Sequence, residues 1–547
     1  MYNKKQILST VSQLGLNLSL DGFENYLKDE SKFLGTALGL IRAKTEADVV
    51  NSLKLANQLN IPLTVVSGKT SITGASAPSG GLILSVKDLD KVDERDIRNV
   101  GVGIILKDYK RMVENKGLFY PPDPTSEDSC TIGGTVACNA SGSLSYLYGP
   151  TRDYIDRLKV VTPDTTVLDI ERGKVFSEDG WFRLKPGQLR GSLVQDMTIP
   201  VPRIPQHPWR RVKNAAGLFS QDRMDLIDLF IGGEGILGII VEVGTKLISK
   251  RKPYFALLIF VANRADTVSL VTTLDKIRNL FHKNPTEVQV ESRDPVNICD
   301  DLSSELLVFS EICPSCMEWF SSSTSKLLDG SHAEKLSRFY GALYVEQEYV
   351  DSEDMYLKLQ KWSEFVDHVK HRHNFGAIEI EAAIDEKHLR SMRLERVRVP
   401  ERLNELIKPG LRKIGTDLSA PMDRLDDLMK MYDEKLPRDS SFVFGHIGNA
   451  HLHSNILARN ELEIEKFNEL HLQMAEYVCS FGGSVSGEHG IGKLKKKILK
   501  AMIGESGFKE IERVKSTLDP NWILNPGNII DPVFTKRHLP VIDQNYS

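Results

Sequence analysis

The chain has 547 residues, 41% hydrophobic and 26% charged, with 40 Gly and 24 Pro. At about 150 residues per domain such a length predicts three or four structural units, and the composition excludes a disordered chain, a fibrous repeat and a small stapled module. Seventy Lys and Arg against 74 Asp and Glu leave a net charge of -4, so nothing at whole-chain level draws it to nucleic acid or to an anionic membrane. Six cysteines (130, 138, 299, 313, 316 and 479) are too few for a disulfide framework and fit a reducing compartment. Cys313 and Cys316 have C-x-x-C spacing but lack the second pair of a zinc site, and read as structural. The N-terminal ILSTVSQLGLNLSL is too polar for a secretory segment, and the apolar stretch at 255–262 is far short of the roughly 18–20 residues that span a bilayer. A cytoplasmic chain is expected, with peripheral contact at the inner face of the membrane left open.

Along the chain, Thr45 caps a segment with Val49, Leu53 and Ala56 at helical spacing, which predicts an amphipathic helix ended by Pro62. PLTVVS and LILSV read as strands flanking the small-residue loop SGKTSITGASAPSGG, a strand-terminal position where α/β folds place ligands. LKVVTPDTTVLDI at 158–170 reads as two strands around a Pro-Asp turn, and about 176–224 as an irregular insertion or lid. After SKRKP near 250, YFALLIFVAN opens a new unit with long amphipathic segments to about 410. No internal repeat is evident, which argues against a solenoid.

Three stretches place glycine in surroundings that read as β-like: Gly68 to Gly74, Thr131 to Asn139, and Ile231 to Gly238. Glycine weakens a strand unless another backbone or a ligand must come close, so three such places predict a long, extended ligand. The first loop is neither G-x-G-x-x-G nor a P-loop, and by itself also fits a surface turn. Further on, His446, His451, His453, Glu488 and His489 fall within 44 residues of a chain with only 13 His. Two imidazoles and a carboxylate suit a divalent ion with a position open to substrate, the alternative being scattered surface histidines. In a strand, His451 and His453 would share a face, with Glu488 and His489 arriving from a separate Gly-rich turn. The stretch 390–413 holds eight Lys or Arg against three acids, and KLKKKILK at 493–500 is also basic. Both read as solvated faces, although an Arg from the first could grip a carboxylate bidentately.

Taken in order, FYPPDPTSEDSCTIGGTVACNASG, LFIGGEGILGI, GTDLSAP, GHIGNAHLHSNIL, SGEHGIGK and LNPGNI resemble the motifs of FAD-linked oxidases of the vanillyl-alcohol oxidase superfamily. Within it, the chain is most similar to cytochrome- or quinone-linked D-lactate dehydrogenases, glycolate oxidase catalytic subunits and D-2-hydroxyglutarate dehydrogenases. The resemblance implies an α+β architecture: a two-subdomain FAD-binding fold of the PCMH type, an antiparallel-sheet cap and a C-terminal helical segment. The implied units are an N-terminal helical segment (1–34), the FAD-binding domain (35–250), the cap (251–430) and a metal and catalytic segment (431–547).

The same resemblance implies that Gly68, Lys69, Thr70, Ser71, Thr73 and Gly74 hold the FAD diphosphate. Pro124, Thr125, Thr131, Gly133, Gly134, Ala137 and Asn139 would line the flavin and ribityl chain, Glu234, Gly235, Gly238 and Ile240 the adenosine end, and Asn525 would close the flavin side. His446, His453 and Glu488 match the metal ligands, with Zn or Mn as the ion, and His489 matches the catalytic base. Asn455, Arg396 and Lys413 match substrate-binding positions. Two motifs depart from the family. The first loop has Ser-Gly-Lys-Thr-Ser where R-G-G-G-T is usual, and Gly448-Asn449-Ala450-His451-Leu452-His453 stands where G-D-G-N-L-H is usual. His451 is thereby open to three readings: a bystander, a donor to a ligand, or a ligand.

The function implied is oxidation of a D-2-hydroxy acid of the D-lactate, glycolate or D-2-hydroxyglutarate class, with hydride transfer to flavin N5. Electrons would pass to a quinone, a cytochrome or an electron-transfer flavoprotein, with no nucleic-acid partner and a homodimer left open. The alternatives are a flavin transferase resembling alkyl-dihydroxyacetone-phosphate synthase, and a metallohydrolase or metal-binding module without flavin.

Overall fold

The computed structural model describes residues 4–189, 196–204, 212–281, 306–373, 375–407 and 410–532. The predicted helix spans Glu46–Leu59, where Thr45 accepts from the Asp48 N–H while Asp48 caps Thr45 in return, and Asn60 ends it in a left-handed conformation. It connects the parallel strands Gly39–Arg42 and Leu63–Val66, which flank Leu82–Ser85, and the short antiparallel Leu18–Ser19 completes a four-stranded sheet. A second four-stranded sheet is antiparallel throughout, in the order Asn99–Gly101, Ile239–Thr245, Ile155–Val161, Val167–Glu171, and includes the two strands foreseen around the Pro-Asp turn. The small-residue loop at 67–81 lies at the end of Leu63–Val66, as expected.

Two readings are corrected here. Ile231 to Gly238 is a run of turns between the short helix Ile227–Phe230 and the strand Ile239–Thr245, not β-like. The stretch Thr131 to Asn139 is not β-like: Ile132–Cys138 is a helix, capped by the Thr131 hydroxyl, which accepts from Gly134 N–H. A hydroxyl N-cap followed by buried Ile132 and Val136, four apart, outweighs the weak helix propensity of two glycines. Within 176–224 the described residues include an antiparallel pair, Trp181–Leu184 with Met197–Pro200.

The largest sheet has eight strands and is antiparallel, in the order Ile378–Ala383, Tyr254–Val261, Gly341–Glu348, Pro314–Ser321, Ser441–Gly445, His451–Ala458, Arg412–Gly415, with Leu418–Ser419 also paired to the histidine strand. It therefore crosses residue 430, and the histidine strand is hydrogen-bonded into the same sheet as the strand that opens at Tyr254. Helices Glu461–Ser480 and Lys496–Leu518 follow the sheet. Cys313 and Cys316 are unbridged, with Cys316 fully buried in its strand, while Cys299 lies outside the described residues. Among the described residues no helix is long and apolar enough to cross a membrane.

The helix Glu386–Glu405 carries Arg396 and is tied to the sheet edge by His332, whose Nδ1 is 2.8 Å from Glu395 and whose Nε2 is 2.7 Å from Glu381. The hydrogen bond to Glu395, aided by Glu381, raises the imidazole to about 9. A folded-state value raised above the unfolded one stabilises fully below about 6.5 and ceases to do so as pH rises through about 9. Replacing His332 by Gln is expected to cost about 1–2 kcal/mol at pH 6 and close to nothing at pH 10 in urea unfolding, after allowance for solvent screening. An equal cost at both pH values would refute the ion-pair account.

Candidate active site

The hairpin Ser441–Gly445 and His451–Ala458 turns through a short 3-10 segment at 447–449, with Ala450 left-handed (φ 47°). His446 leaves the first strand at this turn, and His451, His453 and Asn455 alternate along the second, so all three face one side of the sheet. The ring centroids of His451 and His453 are 4.5 Å apart. Glu488 reaches the same place from the turn 482–490, with His446 Nε2 at 3.1 Å and His453 Nε2 at 3.2 Å. His489 follows, its Nε2 3.5 Å from Glu488 and its ring 5.2 Å from that of His453. His489 is the most open imidazole of the group, 30% exposed against 11% for His446, 12% for His453 and none for His451.

Four residues to which the sequence reading gave no role complete the site. Lys213 Nζ lies 2.8 Å from Glu488, Glu318 accepts from His446 Nδ1 at 2.6 Å, and Asp417 is contacted by His451 Nε2 at 2.8 Å and by Lys495 at 2.9 Å. Burial alone would raise the Glu488 carboxyl, but Lys213 and His446 outweigh it and hold Glu488 well below the usual range. The same contest holds Asp417 well below its usual range, with His489 and Lys495 prevailing over burial. Burial lowers His453. Asp417 lies within the quoted GTDLSAP motif, whereas Lys213 and Glu318 come from segments with no local signal, and only the fold brings them in.

Arg396 sits on the helix that covers this sheet face, above a chamber lined by Phe260, Phe320, Ala342, Tyr344 and Met392, and its Nε is buried without a hydrogen-bond partner. Desolvation works against its charge, but the carboxylates of Glu318, Glu346 and Asp123 overcome this and raise it. Asn455 is buried with its side-chain Nδ2 unpartnered. Lys413, opposite Leu457, stands on the same sheet face, but its amine donates to Asn404 at 2.6 Å. The run 493–500 is only partly solvated: Lys493 donates to Asn528 at 2.6 Å and Lys495 to Asp417, while Lys497 and Lys500 are exposed. Buried acceptors on neighbouring loops draw the first two inward.

The three predicted cofactor loops converge. Thr131 Oγ1 donates to Ser67 Oγ at 2.8 Å, Glu234 N–H to Ala137 C=O at 2.8 Å, and Gly232 N–H to Val136 C=O at 3.0 Å. A fourth loop joins them: Lys493 N–H donates to Thr73 C=O at 2.9 Å, and at Gly492 (φ 52°) a Cβ would come within 2.2 Å of that oxygen, so only glycine fits. Lys69, Asn139, Glu234 and Asn525 all hold left-handed backbone, at a cost of roughly 1–2 kcal/mol each, and such strain gathers where a ligand is gripped. Ser141 Oγ, just past the helix 132–138, is buried and unpartnered. Backbone N–H groups, hydroxyls and that orphaned oxygen suit a nucleotide cofactor.

The individual residues differ in what they offer. Gly68 packs against the Ser129 carbonyl and Gly133 against Val102; Gly134 and Ala137 lie within the capped helix; and Thr70 is half-buried. Ser71 Oγ accepts from Thr73 N–H, and Lys69 Nζ turns outward to Asn25 C=O and the Tyr26 ring. Pro124 is buried, but Thr125 is exposed. Gly235 lies against the Asn525 amide, while Gly238 packs on Val160, to which Ile240 is paired. The Glu234 carboxylate accepts from Ile491 and Gly492 N–H at 2.6 and 2.8 Å and so joins loops.

Loops suited to a nucleotide, carried by α/β and antiparallel subdomains and joined through Glu234 to the turn beside the histidine and carboxylate cluster, fit a flavin oxidoreductase. Residues 37–171 match the FAD binding domain family and residues 342–529 the C-terminal domain of FAD linked oxidases. The chain belongs to the FAD-linked oxidases and binds FAD. It is 27% identical over 526 residues to the D-lactate dehydrogenase of Anaerostipes hadrus, covering 92% of each chain. It is 24% identical to the glycolate oxidase subunit GlcD of Bacillus subtilis, covering 91% of this chain and 90% of that one. The D-2-hydroxyglutarate dehydrogenase of Stutzerimonas stutzeri is also 24% identical, with 93% and 94% covered. Among solved structures, p-cresol methylhydroxylase with substrate bound superposes with a TM-score of 0.64 at 15% identity, covering 96% of each chain. An alkyldihydroxyacetonephosphate synthase superposes with a TM-score of 0.62 at 15% identity, covering 96% of this chain and 85% of that one. At such identity these two establish the PCMH-type fold alone.

Asp417→Ala would leave Lys495 without its buried counter-charge and the His489 N–H without its acceptor. The expected cost is about 3–5 kcal/mol in denaturant unfolding, together with faster hydrogen exchange at the His489 amide. Exchange at wild-type rate would show that Asp417 does not hold the turn.

Proposed function

We propose that the chain oxidises a D-2-hydroxy acid to the 2-oxo acid, with FAD as hydride acceptor and a divalent ion, Zn²⁺ or Mn²⁺, held by His446, His453 and Glu488. The observation that carries this is the cluster itself: imidazole and carboxylate donors within reach of one another, with the most exposed imidazole, His489, beside them. A divalent ion in such a site supplies Lewis acidity that eases loss of a hydroxyl proton, and FAD supplies the hydride acceptor that no side chain provides.

The chain's own residues do the rest. His489 receives the hydroxyl proton, imidazole being the side chain that changes charge near neutral pH. Asp417 holds it through its backbone N–H and lies 3.1 Å from Nδ1 without hydrogen-bonding that nitrogen, and Nε2, 3.5 Å from Glu488, is the nitrogen that meets the substrate. The unpartnered amide of Asn455 and the unpartnered Nε of Arg396 are donors for the substrate's oxygens. Arg396 binds the carboxylate and thereby fixes which hydrogen at C2 is presented to the cofactor. Lys413 is a weaker candidate for that role, since its amine already has a partner. Electrons leave to a quinone, a cytochrome or an electron-transfer flavoprotein.

His489→Asn is expected to retain its yellow colour and one FAD per chain while D-lactate or D-2-hydroxyglutarate reduces the flavin at least about a hundredfold more slowly, read anaerobically by stopped flow. Reduction at the wild-type rate would remove His489 from the mechanism. Bleaching of the wild type by an acyl-dihydroxyacetone phosphate, with none by either hydroxy acid, would favour the transferase instead.

A further inference from the structure

His451 stands where the family motif has no histidine, and its surroundings distinguish among its three readings. The side chain is fully buried, on the same strand face as His453, with its ring 5.5 Å from that of His446. Nε2 lies 2.8 Å from Asp417 Oδ1. An ionised carboxylate only accepts, so Nε2 carries the proton and Nδ1 presents a bare lone pair. That Nδ1 is buried without a hydrogen-bond partner, a condition folded chains avoid unless something else meets the atom. The ligating atoms of His446, His451, His453 and Glu488 all lie within 4.8 Å of one another. His446 is arranged similarly, one nitrogen on the Glu318 carboxylate and the other on Glu488. An imidazole anchored by a carboxylate through one nitrogen and facing other donors is how proteins orient metal-binding histidines.

We propose that His451 is a fourth protein ligand, so that the chain offers the ion three imidazoles and one carboxylate. The inference rests on the metal reading of the preceding subsection and adds a residue to it. Two consequences follow from the chemistry of the set. A substrate hydroxyl enters as a fifth donor rather than completing a tetrahedron, and a nitrogen-rich site selects Zn²⁺ over Mn²⁺. Gly487 belongs to the same construction: a Cβ there would come within 2.6 Å of His451 Nε2 and displace the ring.

The test uses the FAD-loaded enzyme, stripped of metal by chelator and reloaded with Zn²⁺. Zinc affinity is measured by competition with a chromophoric chelator, and the number of coordinated imidazoles by zinc K-edge X-ray absorption. The wild type is expected to show three imidazoles, and His451→Asn two, with unchanged FAD content and zinc held at least about a hundredfold more weakly. Two imidazoles in the wild type would overturn the proposal whatever the variant's affinity, and this arm decides the matter even where the variant does not fold. A wild type that holds FAD but no zinc after reloading would remove the metal reading and this proposal together. Zinc held by two imidazoles would remove the proposal alone.

Discussion

The site is organised around one buried negative charge. Asp417 is 1% exposed, and its carboxylate is met by His451 Nε2, His489 N–H, Ser486 Oγ and Lys495 Nζ, while its backbone C=O accepts from Gly487 N–H. A carboxylate in such a place is tolerable only when paired and fully hydrogen-bonded, so every donor is constrained by its need. Those donors belong to the histidine strand, the 486–489 turn and the approach to the last long helix. One charge therefore ties its own segment to the histidine strand and to the stretch 486–495, both far from it in sequence, and His451 takes its orientation from it.

A second joint ties this cluster to the cofactor loops. Glu234 donates its N–H to Ala137, accepts with its carboxylate from Ile491 and Gly492, and accepts with its carbonyl from Asn525 Nδ2 at 2.8 Å. Asn525 in turn accepts from Val65 N–H at 2.7 Å, at the end of the strand that leads into the first glycine loop. Burial pushes the Glu234 carboxyl up to about 7 against the pull of the two N–H groups and of Lys493 and Lys495. The glycine-rich loops expected to hold FAD and the turn that carries His489 are thus parts of one hydrogen-bonded network, and neither can be repositioned without the other.

What the sequence disclosed follows the range of the interactions. The cap of Glu46–Leu59, the alternation of His451 and His453, and the strands around the Pro-Asp turn are local and were legible. The convergence of three glycine-rich segments was legible as a need for close approach, although at 131–139 the element was misread because a hydroxyl cap outweighed poor helix formers. Lys213 and Glu318 were not legible: each is an ordinary charged residue in its own segment and gains meaning only against Glu488 or His446, 275 and 128 residues away. The basic run at 493–500 was only half read, since charge density is visible in a sequence but the buried acceptors facing Lys493 and Lys495 are not.

The cap sheet sets the proposed metal ligand His446 and the proposed carboxylate clamp Arg396 around one shared carboxylate. Its register sets His453 opposite Phe444 and Phe444 opposite Phe320, and Glu318, two residues from Phe320, emerges on the same face. Glu318 accepts from His446 and stabilises the charge of Arg396, so a single carboxylate joins the histidine cluster to the guanidinium. With Glu346 similarly placed toward Arg396, the guanidinium has enough negative charge around it to remain ionised in a largely apolar chamber. Its unpartnered Nε is then the donor that the surrounding acids do not consume, and it is this donor that the proposed function gives to the substrate carboxylate.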